Sequence, residues 1–154
     1  MGVMNGEDLK RMLEAESFFS LLDRARFTAE AWDTYQHVNQ LFADAACEEA
    51  APGALIWVND FHLMLAPKII KDRRPDLRLA LFLHTTFPPP DIFAVIPWRE
   101  ELLDGLLHLD LIGFHIPSYA LNFADTVERF MEATPTAYTV ARRSTPVSAT
   151  VCSA

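Results

Sequence analysis

The sequence predicts an α/β fold, a Rossmann-like parallel sheet with helices on both faces. Three short apolar runs, at residues 54–58, 77–83 and 110–114, alternate with longer segments whose apolar residues lie three or four apart. Short, fully apolar runs are typical of strands that are buried on both faces, and we expect the first run to be a central strand. Repeated strand and helix units imply right-handed crossovers, so the strands are predicted to be parallel.

Residues 28–50 predict the first helix, because their apolar side chains recur at helical spacing. Thr28 precedes this segment and is a suitable N-cap. The predicted apolar stripe consists of Trp32, Tyr35, Val38, Leu41, Phe42 and Ala45. Such a stripe is typical of an amphipathic helix that packs on a sheet.

The other helices are predicted between and after the strands. Residues 62–71 show helical spacing, although Pro67 confines the regular helix largely to the residues after it. A proline-rich loop over residues 84–90 leaves the end of the second strand, and its prolines stiffen it. Residues 98–109 carry acidic side chains in a first helical turn, and residues 117–130 open with a proline, so both segments predict helices.

The length of 154 residues suffices for one hydrophobic core, so a single domain is predicted. Helical and strand patterns end shortly after residue 130, where Thr, Ser, Ala and Pro dominate. We therefore expect residues 1–133 to form the domain and residues 134–154 to be a poorly ordered or truncated tail.

Charge and cysteine content exclude several classes of protein. The formal net charge is −8 and the basic residues are dispersed, which argues against a nucleic-acid surface. Cys47 and Cys152 lack metal-ligand spacing, as expected for a reducing compartment. The sequence contains neither the apolar core of a signal peptide nor a run as long as a membrane span. These features predict a cytoplasmic protein that binds neither nucleic acid nor membrane.

Polar residues come directly after each predicted strand, and ligands of open parallel sheets bind beyond the carboxyl ends of the strands. Asp60 comes after the first strand, His84 after the second and His115 after the third. Position alone leaves alternatives open. Asp60 is equally suited to cap the next helix, and a histidine such as His84 is somewhat more often structural, bonded to backbone. His115 alone is a weak signal.

A metal site is a further hypothesis for the same edge of the sheet. Asp60, His62, His84 and His115 come from separate strand ends and can converge on one ion, as in a metal-dependent hydrolase. Trp98, which begins a predicted helix, is expected to pack beneath the loop rather than to bind a ligand.

Several successive blocks resemble the trehalose-6-phosphate synthases. The family segments W-V-H-D-Y-H-L, F-F-L-H-T-P-F-P, P-W-R-E-E-L-L and A-D-L-I-G-F-H resemble, in this order, IWVNDFHL at residues 56–63, LFLHTTFP at 81–88, PWREELL at 97–103 and DLIGFH at 110–115. Order and spacing agree throughout, and the similarity extends over roughly residues 32–130.

The resemblance implies an enzyme of two Rossmann-like domains, of which residues 1–133 resemble part of the N-terminal, acceptor-side one. The implied reaction transfers glucose from UDP-glucose to glucose-6-phosphate with retention of configuration. By this likeness Asp60 binds the acceptor sugar, and His84 is a substrate-binding and catalytic residue beside the transferred glucose. No metal or other cofactor is implied, because the nucleotide-sugar is a co-substrate.

Two departures from the family motif leave the acceptor open. Asn59 replaces an imidazole by an amide, and Phe61 lacks a phenolic hydroxyl. The chain also resembles the glucosylglycerol-phosphate synthases, which implies ADP-glucose and glycerol-3-phosphate as the alternative substrates. Because only part of the enzyme is matched, we expect no catalysis by this chain alone, and an inactive binding or regulatory fragment is the alternative of another class. Homo-oligomerisation is left open.

Overall fold

The computed structural model describes residues 26–131, and the first 25 residues and the predicted tail at 134–154 lie outside this range. Its elements are α1 (Ala29–Glu49), β1 (Leu55–Asn59), a 3-10 turn (Phe61–Leu63), α2 (Ala66–Arg73), β2 (Arg78–Leu83), α3 (Pro90–Phe93), α4 (Arg99–Leu107), β3 (Leu111–Phe114) and α5 (Pro117–Phe130). The predicted helices and strands are confirmed within a few residues at each end. The short α3 within the proline-rich region and the separate 3-10 turn were not predicted.

The three strands form one parallel sheet in the order β1-β2-β3. Leu55 of β1 lies opposite Arg78, and Ala80 of β2 lies opposite Leu111. Parallel neighbours need a crossover, and α2 supplies the first while α3 and α4 supply the second. The Rossmann-like parallel sheet predicted from the sequence is therefore confirmed.

Local sequence explains where the helices begin. The Thr28 hydroxyl accepts the N–H of Ala31 at 3.2 Å, so this residue caps α1 as predicted. Prolines occupy the first turns of α2 and α5, where a missing backbone N–H leaves no hydrogen bond unmade. Within residues 26–131, no helix is both long and apolar enough to cross a membrane.

The buried core lies on one face of the sheet. Leu79, Leu81 and Leu83 alternate along β2 and point to the same side. Leu81 and Leu83 belong to one buried cluster, and Leu79 belongs to a second cluster that adjoins it. The helical members of the two clusters include Ala43, Cys47, Ile70, Leu103, Leu106, Phe123 and Val127. We predicted helices on both faces of the sheet, and the helices of the described residues cover this face.

The prediction that β1 is a central strand buried on both faces is wrong for the described residues. It is an edge strand, and the side chains of Leu55 and Trp57 are 58% and 55% exposed on the opposite face. An apolar run of five residues cannot distinguish a central strand from an edge strand, because both present the same side chains.

The buried side of α1 also differs from the predicted stripe. Asn39, Ala43 and Cys47 are buried, whereas Val38, Leu41 and Phe42 are exposed. Small side chains at positions 43 and 47 let α1 approach α2 closely, and the larger apolar residues therefore lie outside the contact. The periodicity predicts the helix correctly but places its buried face about one residue away.

Candidate functional site

The carboxyl ends of the three strands lie along one edge of the sheet, and each is succeeded by a candidate site residue. Asp60 stands directly after β1, His84 after β2 and His115 after β3. The imidazole centroids of His84 and His115 are 5.5 Å apart. The structure thus brings the sequence-predicted positions to the same edge, as a parallel sheet requires.

Asp60 has an unusual backbone conformation. Its φ is 61° and its ψ is −178°, and among residues 26–131 it is the one non-glycine residue with positive φ. Its N–H donates to the carbonyl of Phe82 at 3.0 Å, which holds the strained turn against β2. Such conformations cost about 1–3 kcal/mol and cluster at functional sites, where surrounding contacts enforce them.

The carboxylate of Asp60 caps the 3-10 turn. Oδ1 accepts the N–H of Phe61 at 3.0 Å and faces the hydroxyl of Thr85 at 3.4 Å, a long distance for a hydrogen bond. The capping role considered from the sequence is therefore present, for the 3-10 turn rather than for α2. Neither interaction uses Oδ2.

His84 is exposed, and its imidazole lies against the rings of Phe82 and His115. Its imidazole lies 4.7 Å from the Phe82 ring, measured between centroids, at an interplanar angle of 56°. No hydrogen bond within residues 26–131 involves the His84 imidazole. The alternative of a structural histidine bonded to backbone is therefore not supported by the described residues.

The proline-rich loop after His84 is attached to α5 at two places. The Thr86 hydroxyl lies 3.2 Å from the hydroxyl of Tyr119, and the Asn122 amide donates to the carbonyl of Phe87 at 2.9 Å. The Phe87 side chain is buried against Phe93. These contacts fix the loop that carries Thr85 past the carboxylate of Asp60.

An aromatic-walled cavity of about 360 Å³ opens beside this edge. One wall is a stack of three rings, in which Trp32 lies 4.7 Å from Trp98 and 5.6 Å from Tyr35. Trp98 thus packs on Trp32 of α1 and lines the cavity, and its packing beneath the proline-rich loop stays a prediction. The other lining residues are Arg26, Phe27, Thr28, Ala31, Phe61, Met64, Leu83, Thr85, Thr86, Phe87, Pro88, Phe93, Ile96 and Leu102.

Tyr35 and Asn39 support the turn after Asp60, although the sequence predicted Tyr35 only as part of the apolar stripe of α1 and did not single out Asn39. The Tyr35 hydroxyl donates to the carbonyl of Phe61 at 2.6 Å and accepts the N–H of Met64 at 3.1 Å. Burial raises the pKa of Tyr35, against the opposing effect of the hydrogen bond from the Met64 N–H and of the Asn39 side chain, so the hydroxyl keeps its proton at neutral pH. Asn39 is a buried polar residue, but its polarity did not identify it, because polar residues such as Gln36 and Gln40 are common in the same amphipathic helix.

Asn39 satisfies four backbone groups at once. Its amide nitrogen donates to the carbonyls of Tyr35 and His62, at 2.9 and 3.1 Å. Its oxygen accepts the N–H groups of Leu65 and Ala66, both at 3.0 Å. This one side chain therefore joins α1 to the 3-10 turn and to the start of α2.

The metal hypothesis finds no geometric support. His62 stacks on Phe61, with centroids 4.1 Å apart, and does not join the pair formed by His84 and His115. In the part of the chain that the structure describes, no three His, Cys, Asp or Glu side chains are arranged to hold an ion. Asp60 and the two histidines thus form a polar edge rather than a ligand set.

Comparison with known proteins places this geometry in a family. The family model of glycosyltransferase family 20 matches residues 19–152. A glucosylglycerol-phosphate synthase from Synechocystis is 47% identical over 112 residues, which cover 70% of this chain and 22% of the relative. A trehalose-6-phosphate synthase from Mycolicibacterium vanbaalenii is 46% identical over 115 residues, with 75% and 23% covered.

A solved structure has the same fold. The UDP-forming α,α-trehalose-phosphate synthase from Burkholderia xenovorans superposes with a TM-score of 0.68 at 31% identity, covering 71% of this chain and 24% of that one. This chain thus spans about a quarter of the length of the relatives it matches. The sequence match, the shared parallel sheet and the motif residues at its carboxyl edge lead to one conclusion: the chain belongs to glycosyltransferase family 20.

Proposed function

We propose that this chain forms part of the acceptor side of a retaining glucosyltransferase that makes trehalose-6-phosphate and UDP from UDP-glucose and glucose-6-phosphate. The observation that carries the proposal is the strained Asp60, held at the carboxyl edge of the sheet beside an exposed His84. Membership of the family and the trehalose-6-phosphate synthases among its relatives supply the reaction.

Asp60 is suited to bind sugar hydroxyl groups. An ionised carboxylate accepts hydrogen bonds only, and a sugar ring offers several donors. The Phe61 and Thr85 contacts hold Oδ1, which leaves Oδ2 as the atom to accept from an acceptor hydroxyl. The strained backbone at Asp60 then has a function, because it directs this carboxylate beyond the end of β1.

The cavity beside Asp60 is suited to the apolar side of the same sugar. Sugars present C–H groups on their ring faces, and aromatic walls such as the stack of Trp32, Tyr35 and Trp98 exclude water from them. Thr85 lies both on the cavity wall and beside Asp60, so the two features are adjacent. Binding there fixes the orientation of the acceptor.

His84 is proposed to lie against the transferred glucose. Its ring nitrogens are exposed and unbonded within the described residues, so they can donate to a sugar hydroxyl near the reacting carbon. Orientation of donor and acceptor, with exclusion of water, is the contribution these residues make. Stabilisation of the departing UDP belongs to parts of the enzyme that this chain does not match.

A glucosylglycerol-phosphate synthase is the second candidate. The relative with that activity is 47% identical, as close as the trehalose-6-phosphate synthase at 46%, so identity does not separate the two acceptors. Phe61, which lines the cavity in place of the family's tyrosine, makes the acceptor side less polar. Glycerol-3-phosphate would occupy less of the same cavity than glucose-6-phosphate.

Calorimetric titration of the chain with each phosphorylated acceptor tests the proposal. We expect saturable binding of glucose-6-phosphate and at least tenfold weaker binding after Asp60→Asn, about 1.4 kcal/mol. Asp72→Asn removes an exposed carboxylate on α2 as a matched control and should leave affinity unchanged. Preference for glycerol-3-phosphate would favour the second candidate, and binding of neither acceptor would contradict both.

Release of UDP from UDP-glucose plus glucose-6-phosphate tests catalysis separately. We propose that the chain binds the acceptor but does not turn over without a donor-binding domain. Acceptor binding without UDP release is the expected result, and it equally fits an inactive binding or regulatory fragment. UDP release that disappears with His84→Ala would show instead that the matched quarter of the enzyme is sufficient.

A further inference from the structure

Phe82 is buried on the face of the sheet that the described helices do not cover. It belongs to neither of the two core clusters, yet only 8% of its surface is exposed. Two imidazoles contact its ring, with centroid distances of 4.7 Å for His84 and 5.0 Å for His115. Phe82 therefore forms a platform at the carboxyl edge, and the two histidines lie against it.

Gly113 makes room for this platform. A Cβ atom at position 113 would lie 2.5 Å from Cδ2 of Phe82, a distance that real Cβ atoms do not show. Gly113 and Phe82 are opposite each other in the β2–β3 register, so the phenyl ring occupies the space that a side chain on β3 would fill. Glycine is required at position 113 because the Phe82 ring lies so close to the backbone there.

His84 depends on these ring contacts for its orientation. Hydrogen bonds to its imidazole are lacking within residues 26–131, so backbone and carboxylate partners do not fix its rotamer there. The described contacts are the tilted one with Phe82 and the edge contact with His115, at 5.5 Å and 61°. Edge arrangements of this kind are the favoured geometry of ring pairs.

We propose that His115, together with Phe82 seated on Gly113, positions the His84 imidazole in the active site. The Phe82 ring contacts one side of the His84 ring, and His115 limits the rotation of the His84 ring from the side of β3. The assignment of His84 to an active site rests on the proposed function, whereas the positioning itself is a property of the three rings. His115 acts through His84 and is a positioning residue.

The test is an NMR spectrum of the histidine rings in the whole chain, which contains five histidines. The Phe82 ring current should shift the ring protons of His84, and nuclear Overhauser effects should connect the two rings. His115→Ala should move and broaden the His84 signals, while His115→Phe, which keeps an edge contact, should restore most of the shift. His108→Ala is the matched control, because His108 bonds to Asp104 at the opposite edge.

Gly113→Ala provides an independent variant that leaves all histidines in place. The added methyl group displaces the Phe82 ring, so the His84 signals should change although no histidine is altered. His84 signals that stay unchanged in both His115→Ala and Gly113→Ala, with folding intact by circular dichroism, would overturn the proposal. If the wild-type chain binds no sugar phosphate, the proposed function fails, and this spectrum still decides whether His84 is positioned by His115.

Discussion

The two ends of the sheet are built in opposite ways. At the amino end, the carboxylates that precede β2 and β3 form ion pairs. Asp76 accepts bonds from Arg74 and from the N–H of Gly53, and Asp110 accepts from Lys71 and from the N–H of Leu79. At the carboxyl end Asp60 has a strained backbone, and the imidazoles of His84 and His115 make no hydrogen bond within residues 26–131. Charge-paired carboxylates thus occupy the amino end, whereas the candidate site residues occupy the carboxyl end.

The same strands produce both ends, so their difference must come from the residues that flank them. Asp76 stands before β2 and His84 stands after it, with the six residues of the strand between them. The Asp76 carboxylate accepts hydrogen bonds from the protein, whereas the His84 imidazole makes none within residues 26–131. Substitutions at the two ends are therefore expected to change different properties of the chain.

The largest loss of stability is expected from Asn39→Ala, which removes the side chain with the most backbone hydrogen bonds to the segment after Asp60. Four backbone groups lose their partner, and we expect the free energy of unfolding to fall by about 3 kcal/mol. Urea denaturation followed by circular dichroism measures this. Gln40→Ala, one residue away and exposed, should cost less than about 0.5 kcal/mol. Equal effects of the two changes would contradict the role of Asn39.

Asp60→Gly should separate stability from binding. Glycine adopts positive φ without strain, so the free energy of unfolding of Asp60→Gly should exceed that of Asp60→Ala by about 1 kcal/mol, since both variants lose the cap and the carboxylate for the acceptor. Urea denaturation and titration with glucose-6-phosphate give the two values. The neighbouring control is Asn59→Gly, which lies in β1 and should lower stability by about 0.5–1 kcal/mol. An Asp60→Gly variant that is no more stable than Asp60→Ala would show that the turn is not strained.

Asp76 at the amino end should make the free energy of unfolding depend on pH in the acidic range. Bonds from Arg74, then from the N–H of Gly53, hold the pKa of Asp76 well below its ordinary value of 3.8. A lowered folded pKa gives stability that is fully present above about pH 4 and is lost as pH falls through the folded pKa. Asp76→Asn should flatten this acid dependence in urea titrations between about pH 6 and 2.5. An unchanged slope would mean that Asp76 is not the group responsible.

The smallest effect is expected from the contact that attaches the proline-rich loop to α5. Tyr119→Phe removes the hydroxyl bonded to Thr86, and we expect a loss of about 0.5 kcal/mol in unfolding free energy. Hydrogen exchange should show faster local opening at Thr85 and Thr86, with the sheet unaffected. Tyr35→Phe is the informative comparison, because that hydroxyl has two backbone partners and should cost more. A larger effect at Tyr119 would contradict this order.

The sequence predicts the order and type of the elements well, because alternating strand and helix patterns are local. Thr28 and the prolines at the starts of α2 and α5 act as expected, since caps depend on a few neighbouring residues. Burial was predicted less well. The edge position of β1 and the buried side of α1 depend on which elements pack beside them, and one strand or helix does not carry that information.

The sequence identified the candidate site residues but not the residues that support them. Asp60, His84 and His115 are identified by the rule for parallel strand ends and by the family motifs. Tyr35, Asn39 and the Phe82 platform were missed because their partners are distant in sequence. Asn39 and its donor Leu65 are 26 residues apart, and the ring of Phe82 meets a glycine on another strand. Such contacts become visible only when the fold is known.

The central claim is that the carboxyl end of the sheet binds a phosphorylated sugar acceptor. The most direct measurement is titration of the isotopically labelled chain with glucose-6-phosphate, monitored by amide and histidine NMR signals. We predict saturable shifts at Asp60, His84 and Thr85 and at the ring stack of Trp32, with no change at Asp76 or Asp110, and loss of these shifts after Asp60→Asn. Saturable shifts confined to the amino end, or none at the carboxyl end at millimolar ligand, would contradict the account.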